Sequence, residues 1–201
     1  MELPSPGMTI DARRTALVLT DLQNDFLSPG GIAWGLVADS LAANHTIENL
    51  ESLLRAARRH GLPVVLSPHY YYPTDRAWET PGGAVEELMH RMGLFARRGP
   101  LTLDGFTGSG ADWPERFKPY LADGETVVAS PHKVYGTSSN DLVLQLRKRR
   151  LEKIILAVRR ATSVSRRTCG ISWSKASRWR WYGMRPPGPG MRRGTAIGPR
   201  W

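Results

Sequence analysis

A chain of 201 residues with a single cysteine suits one domain with one core and excludes an internal disulfide framework. No stretch reaches the run of about 20 apolar residues that crosses a bilayer, and Met1-Glu2-Leu3-Pro4 has no basic region leading into an apolar one, so a soluble cytoplasmic protein without a leader is expected. The net charge of +10 is confined to one end: residues 1–157 hold 17 Lys and Arg against 18 Asp and Glu, whereas 158–201 hold 11 basic residues and no acid.

In chain order, Thr15-Ala16-Leu17-Val18-Leu19-Thr20 is a short apolar run of the kind buried in a parallel sheet. A helix is predicted over about 43–60, where Ile47, Leu50, Leu53, Leu54 and Ala57 recur at helical spacing and Gly61 with Pro63 ends the pattern. Val64-Val65-Leu66 reads as the second strand. Gly82 to Met92 reads as a shorter helix with Val85, Leu88 and Met92 on one face. Residues 95–124, rich in Gly, Asp and Pro, read as a long excursion. Glu125 to Ala129 forms the third strand. Ser139-Asn140-Asp141 offers N-caps for a helix that carries Leu142 and Leu146, and Lys153-Ile154-Ile155-Leu156-Ala157 is the fourth strand. The alternation predicts a three-layer, Rossmann-like α/β fold, a parallel sheet with helices on both faces, incomplete after the fourth strand. The first strand is expected to be central, between the second and the fourth.

In such sheets ligands sit beyond the carboxyl ends of the strands. Asp21 follows the first strand and Lys133 the third, so a carboxylate and an ammonium stand at that edge, where each can shift the other's pKa. An ordinary cap at Asp21 and a solvated Lys133 are the plainer alternative.

The segment Leu17-Val18-Leu19-Thr20-Asp21-Leu22-Gln23-Asn24-Asp25-Phe26, with Pro29-Gly30-Gly31 after it, resembles the opening motif of the isochorismatase-like hydrolases. Ser130 to Ala157 resembles that family's lysine-bearing strand, helix and following strand. The resemblance implies a cysteine hydrolase acting on a small amide or ureido compound through an Asp–Lys–Cys triad. In it Asp21 takes the thiol proton and Lys133 holds the carboxylate ionised, which is the help a thiol needs to be a strong nucleophile near neutral pH. Phe26, His69 and Trp78 are substrate-binding candidates, Tyr70, Tyr71 and Tyr72 being equally suited to the pocket or to packing. His132 reads as a surface neighbour of Lys133. The nicotinamidases of the family carry an Asp-x-His metal motif near His69. Here Ser67 replaces the aspartate, so no metal and no cofactor are expected.

The family nucleophile belongs in a turn directly after the fourth strand. The chain there reads Val158-Arg159-Arg160-Ala161-Thr162-Ser163-Val164, without cysteine. Cys169, in surroundings unlike any cysteine-hydrolase motif, is not the equivalent. Read from the third base of each codon, Thr162-Ser163-Val164 permits Leu-Cys-Val, and Arg166 to Gly170 permits Ser-His-Met-Arg. The same shift lets Trp179 to Met184 encode a strand ending in aspartate. Residues 1–157 are thus expected to be a truncated hydrolase domain. Residues 158–201 are expected to be a poorly ordered, Arg/Trp/Gly/Pro-rich tail read out of frame, leaving the enzyme inactive. The fourth strand would then have an open edge, and the chain would be a homo-oligomer or prone to aggregate. The expected partner is a small-molecule substrate and not a membrane. Nucleic acid bound by the basic tail is the disfavoured alternative.

Overall fold

The computed structural model describes residues 10–79, 83–133, 139–158 and, as backbone, 171–175. Strands β1 (Thr15–Thr20), β2 (Val64–Ser67), β3 (Val127–Val128), β4 (Lys153–Val158) and β5 (Ile171–Lys175) form one sheet in the order β3-β2-β1-β4-β5. The first four run parallel, with β1 in the centre as expected: Leu17 stands level with Val64 on one side and Ile155 on the other.

Side chains alternate across β1, and each set finds its own helices. Leu17 and Leu19 join Leu66, Ile155 and Ala157 in a core built with α1 (Asn24–Leu27), α2 (Trp34–Ala43) and α3 (Thr46–Arg59). α4 (Ala84–Met92) and α5 (Lys118–Leu121) border it through Met89, Met92, Tyr120 and Leu121. Ala16 and Val18 join Val65 and Ala129 on the opposite face, under Leu142 and Leu146 of α6 (Leu142–Lys148). No helix among the described residues is long and apolar enough to cross a membrane.

Three expectations are corrected. The helix predicted from residue 43 begins at Thr46, and α2 precedes it unforeseen, because only Val37 and Leu41 of α2 are buried and so narrow a stripe leaves no strong period. The break between the two helices falls at His45, whose φ of 48° is left-handed. Asp141 stands at the N-cap of α6 but makes no capping bond. Its Oδ1 instead accepts from the backbone N–H and hydroxyl of Ser130 (2.6 and 2.9 Å), and its Oδ2 from Gln145 (2.7 Å), which holds its carboxyl below the usual range. The open edge expected on β4 is covered: β5, from the basic tail, pairs with it antiparallel, Ile155 level with Trp173. The remainder of the tail, including Cys169, lies outside the described residues.

Because a proline removes a ladder donor and is tolerated poorly inside a paired strand, the double change Ser172→Pro/Trp173→Pro is expected to reopen the β4 edge. Light scattering should then show faster aggregation at micromolar concentration, and unchanged scattering would mean that β5 contributes nothing to solubility.

Candidate active site

The sheet's carboxyl edge is organised by three residues of the opening motif. Gln23 is fully buried. Its Nε2 donates to the carbonyls of His69 (2.9 Å) and Ala111 (2.7 Å), and its Oε1 accepts from the His69 N–H (2.8 Å), so one side chain ties the exits of β1 and β2 to the long excursion. Asp25 accepts from the N–H of Phe95 (2.5 Å), and burial pushes its carboxyl above the usual range. A Cβ on Gly110 would fall 1.9 Å from Asp25 Oδ1, so only glycine lets the excursion close over this carboxylate.

Asp21 leaves β1 at φ 56°, a left-handed turn that a carboxylate residue tolerates better than most. Two histidines meet it. β2 and β3 pair Leu66 with Val128, and beyond the strands a further parallel bridge joins His69 to His132, so one extra residue is taken up on the β3 side. The bridge sets two Ser-Pro-His tripeptides, Ser67–His69 and Ser130–His132, side by side, with the His132 N–H donating to the Pro68 carbonyl (2.8 Å). His132 Nε2 lies 3.1 Å and His69 Nδ1 3.8 Å from Asp21 Oδ1. That oxygen is buried and has no aligned hydrogen-bond donor among the described residues.

His132 is therefore not the surface neighbour expected; it is buried and faces the carboxylate. Its Nδ1 lies 3.0 Å from Ser67 Oγ, which in turn accepts from Asn140 Nδ2 (2.8 Å). A Ser67 hydroxyl donating to Nδ1 leaves the other ring proton on Nε2, toward Asp21. Asn140, Ser67 and His132 then form one hydrogen-bonded chain that ends with Nε2 3.1 Å from Asp21 Oδ1. From sequence, Ser67 enters only as the replacement for a metal-motif aspartate and Asn140 only as an N-cap candidate; the repeated Ser-Pro-His after two strands was the available signal for their place here.

His69 is buried, stacked on Phe95 (4.5 Å between ring centres) and close to Tyr71 (4.8 Å). Burial lowers its pKa to about 3, against the opposing pull of Asp21, so the ring is neutral at ordinary pH. Burial likewise raises the Tyr70 and Tyr71 hydroxyls, which stay protonated.

Lys133 occupies the same edge but does not turn to Asp21. Its Nζ donates to the Tyr70 carbonyl (2.6 Å) and forms an ion pair with Asp75, and it lies 4.5 Å from the centre of the Tyr72 ring. Asp75 is itself held by the Tyr72 N–H (2.8 Å). The expected carboxylate–ammonium pair thus becomes two pairs, Asp21 with histidine and Asp75 with lysine. Of the substrate-binding candidates, His69 lines the Asp21 site, Phe26 packs in the core 5.3 Å from Phe95, and Trp78 is exposed beside His90. The Asp-x-His metal motif is not met. Ser67 stands at its first position, and the hydroxyl is engaged by Asn140 and His132.

Solved structures with this fold include a cysteine hydrolase from Pseudomonas syringae pv. phaseolicola 1448A, at 23% identity and TM-score 0.56, with 79% of this chain and 65% of that one covered. An N-carbamoylsarcosine amidase from Thermoplasma acidophilum matches at 18% identity and TM-score 0.45 over 72% of this chain and 67% of that one. A nicotinamidase from Bacillus subtilis matches at 18% and 0.45 over 72% and 70%. The chain spans just under two thirds of the length of the first of these. No curated protein matches the sequence. The model of the isochorismatase domain matches residues 15–157, most of the chain, and the protein belongs to the isochorismatase family.

Proposed function

We propose that the chain carries the acid–base half of a cysteine hydrolase for small amides or ureido compounds and, as written, lacks the nucleophile that would complete it. The observation that carries this reading is the seat of Asp21. Its carboxylate stands at the carboxyl end of the central strand, beside the exit of β4, where Thr20 is level with Val158. A nucleophile in the turn after β4 would emerge next to it, and residues 158–168 contain no cysteine. Asp21 is the base for the missing thiol and the donor to the leaving ammonia. Lys133, neutralised by Asp75 in the resting site, is the cation that stabilises charge when substrate displaces that partner. The stretch from Val158 onward is read as an out-of-frame translation of the nucleophile turn and the strands after it.

A screen of small amides and ureido compounds should find no turnover above background. The frame-restored protein should gain activity, which Asp21→Asn or Lys133→Ala then lowers by about 10²–10⁴-fold, the usual weight of a positioned acid–base group. Turnover by the present chain that Cys169→Ser abolishes would defeat the reading.

A further inference from the structure

We propose that Asp21, His69 and His132 form a binding site for one divalent transition-metal ion of the zinc type, with a ligand set different from the Asp-x-His motif of the nicotinamidases. One ligand atom from each residue lies within 4.8 Å of the other two. With bonds of about 2.0–2.1 Å, the ligands of a tetrahedral zinc stand about 3.3 Å apart. The 3.1 Å and 3.8 Å from Asp21 Oδ1 to the two imidazoles straddle that value, and the imidazole nitrogens, within 4.8 Å of each other, must close inward to share one ion.

An ordinary Asp–His pair explains this geometry less well. It brings His132 Nε2 to 3.1 Å without an aligned hydrogen bond, so Asp21 Oδ1 stays buried and unpartnered among the described residues, and it leaves His69 Nδ1 beyond hydrogen-bond distance. A cation between the three groups would engage Asp21 Oδ1, His132 Nε2 and His69 Nδ1, while the far nitrogen of His69, Nε2, stays buried without a hydrogen-bond partner among the described residues. His132 also has the support typical of a metal-bound imidazole, since its far nitrogen rests on Ser67 and, through it, on Asn140. Ser67 Oγ can accept from Asn140 and from a protonated Nδ1 together, which frees Nε2 to ligate. The ammonium of Lys133 acts against positive charge at His69, but its pairing with Asp75 offsets part of that effect. Asp21 keeps 24% of its side-chain surface exposed, so water can complete the coordination. Two imidazoles and one carboxylate suit zinc, cobalt or iron rather than magnesium or calcium. An ion here would occupy the carboxylate assigned to the missing thiol, so metal binding and that role exclude each other.

The test is equilibrium dialysis of the chelator-stripped, full-length chain against zinc chloride, with cobalt(II) chloride as a visible-absorbing probe. Neither readout depends on turnover, so the result stands apart from the hydrolase reading. One equivalent should be retained. His69→Ala and His132→Ala should each weaken retention by at least about a hundredfold, and Ser67→Ala by about 10–100-fold. His45→Ala and His60→Ala, both exposed, should leave it unchanged. Asp21→Asn, nearly isosteric, should remove the cobalt absorption while circular dichroism stays native, which covers the case of an alanine variant that fails to fold. Failure to retain a stoichiometric ion, or retention unaffected in the His69→Ala/His132→Ala double variant, would overturn the proposal.

Discussion

Gln23→Ala is expected to lower the unfolding free energy by about 3–5 kcal/mol, the largest loss from any single change at the site. The substitution removes three hydrogen bonds and leaves the His69 N–H and the carbonyls of His69 and Ala111 without their partner. A buried polar group left unmet costs about 1–3 kcal/mol, and a domain of this size has about 5–15 kcal/mol in all. Gln23→Glu should be no better, because a carboxylate would then face two carbonyl oxygens. Urea denaturation measures both, and a loss below about 1 kcal/mol for the alanine variant would show that the exits of β1 and β2 hold together without this side chain.

Stability should also fall as the pH is lowered from about 6.5 toward 3, measured with chelator present so that no metal contributes. His69 has a folded pKa of about 3 against an ordinary value of 6.5. Between these values the unfolded chain binds a proton that the folded chain refuses. The stabilisation from the neutral buried ring is therefore complete above about pH 6.5 and is lost on acidification, at up to about 1.4 kcal/mol per pH unit. Glu51, Asp123 and Asp141, whose carboxyls lie below their usual range, add to the loss only at more acid pH. Asp25, raised by burial, acts in the opposite direction. The window from about 4.5 to 6.5 is thus the informative one. His69→Gln should flatten it, and an equal slope in that variant would assign the acid sensitivity to other groups.

The parallel sheet was legible because its central strands are continuous apolar runs ended by turn residues: Thr15–Thr20 and Lys153–Ala157 lie where their patterns put them. α2 was not, since two buried residues in ten make too weak a period. Asp21 and Lys133 were readable as residues following strands, but their partners were not. Asp75 comes from a short turn, and His132 reaches Asp21 only through the pairing of strand ends, which local spacing does not reveal. The antiparallel β5 had no signal either: Ile171-Ser172-Trp173-Ser174-Lys175 alternates, but over too few residues to stand out in a stretch read as out of frame.

The extra residue between the Leu66–Val128 pair and the His69–His132 bridge decides which kind of chemistry the site can have. Neighbouring residues of an extended chain point to opposite sides. With the insertion, the imidazole of His132 is turned toward Asp21 and the ammonium of Lys133 toward Asp75. Were the ladder to run on from Leu66 and Val128 without it, Pro131 would stand level with His69 and His132 with Tyr70, and alternation would carry the imidazole away from the carboxylate's side. The partner of Asp21 is thus chosen by strand register as much as by residue type, a distinction that aligned residue identities alone would not expose.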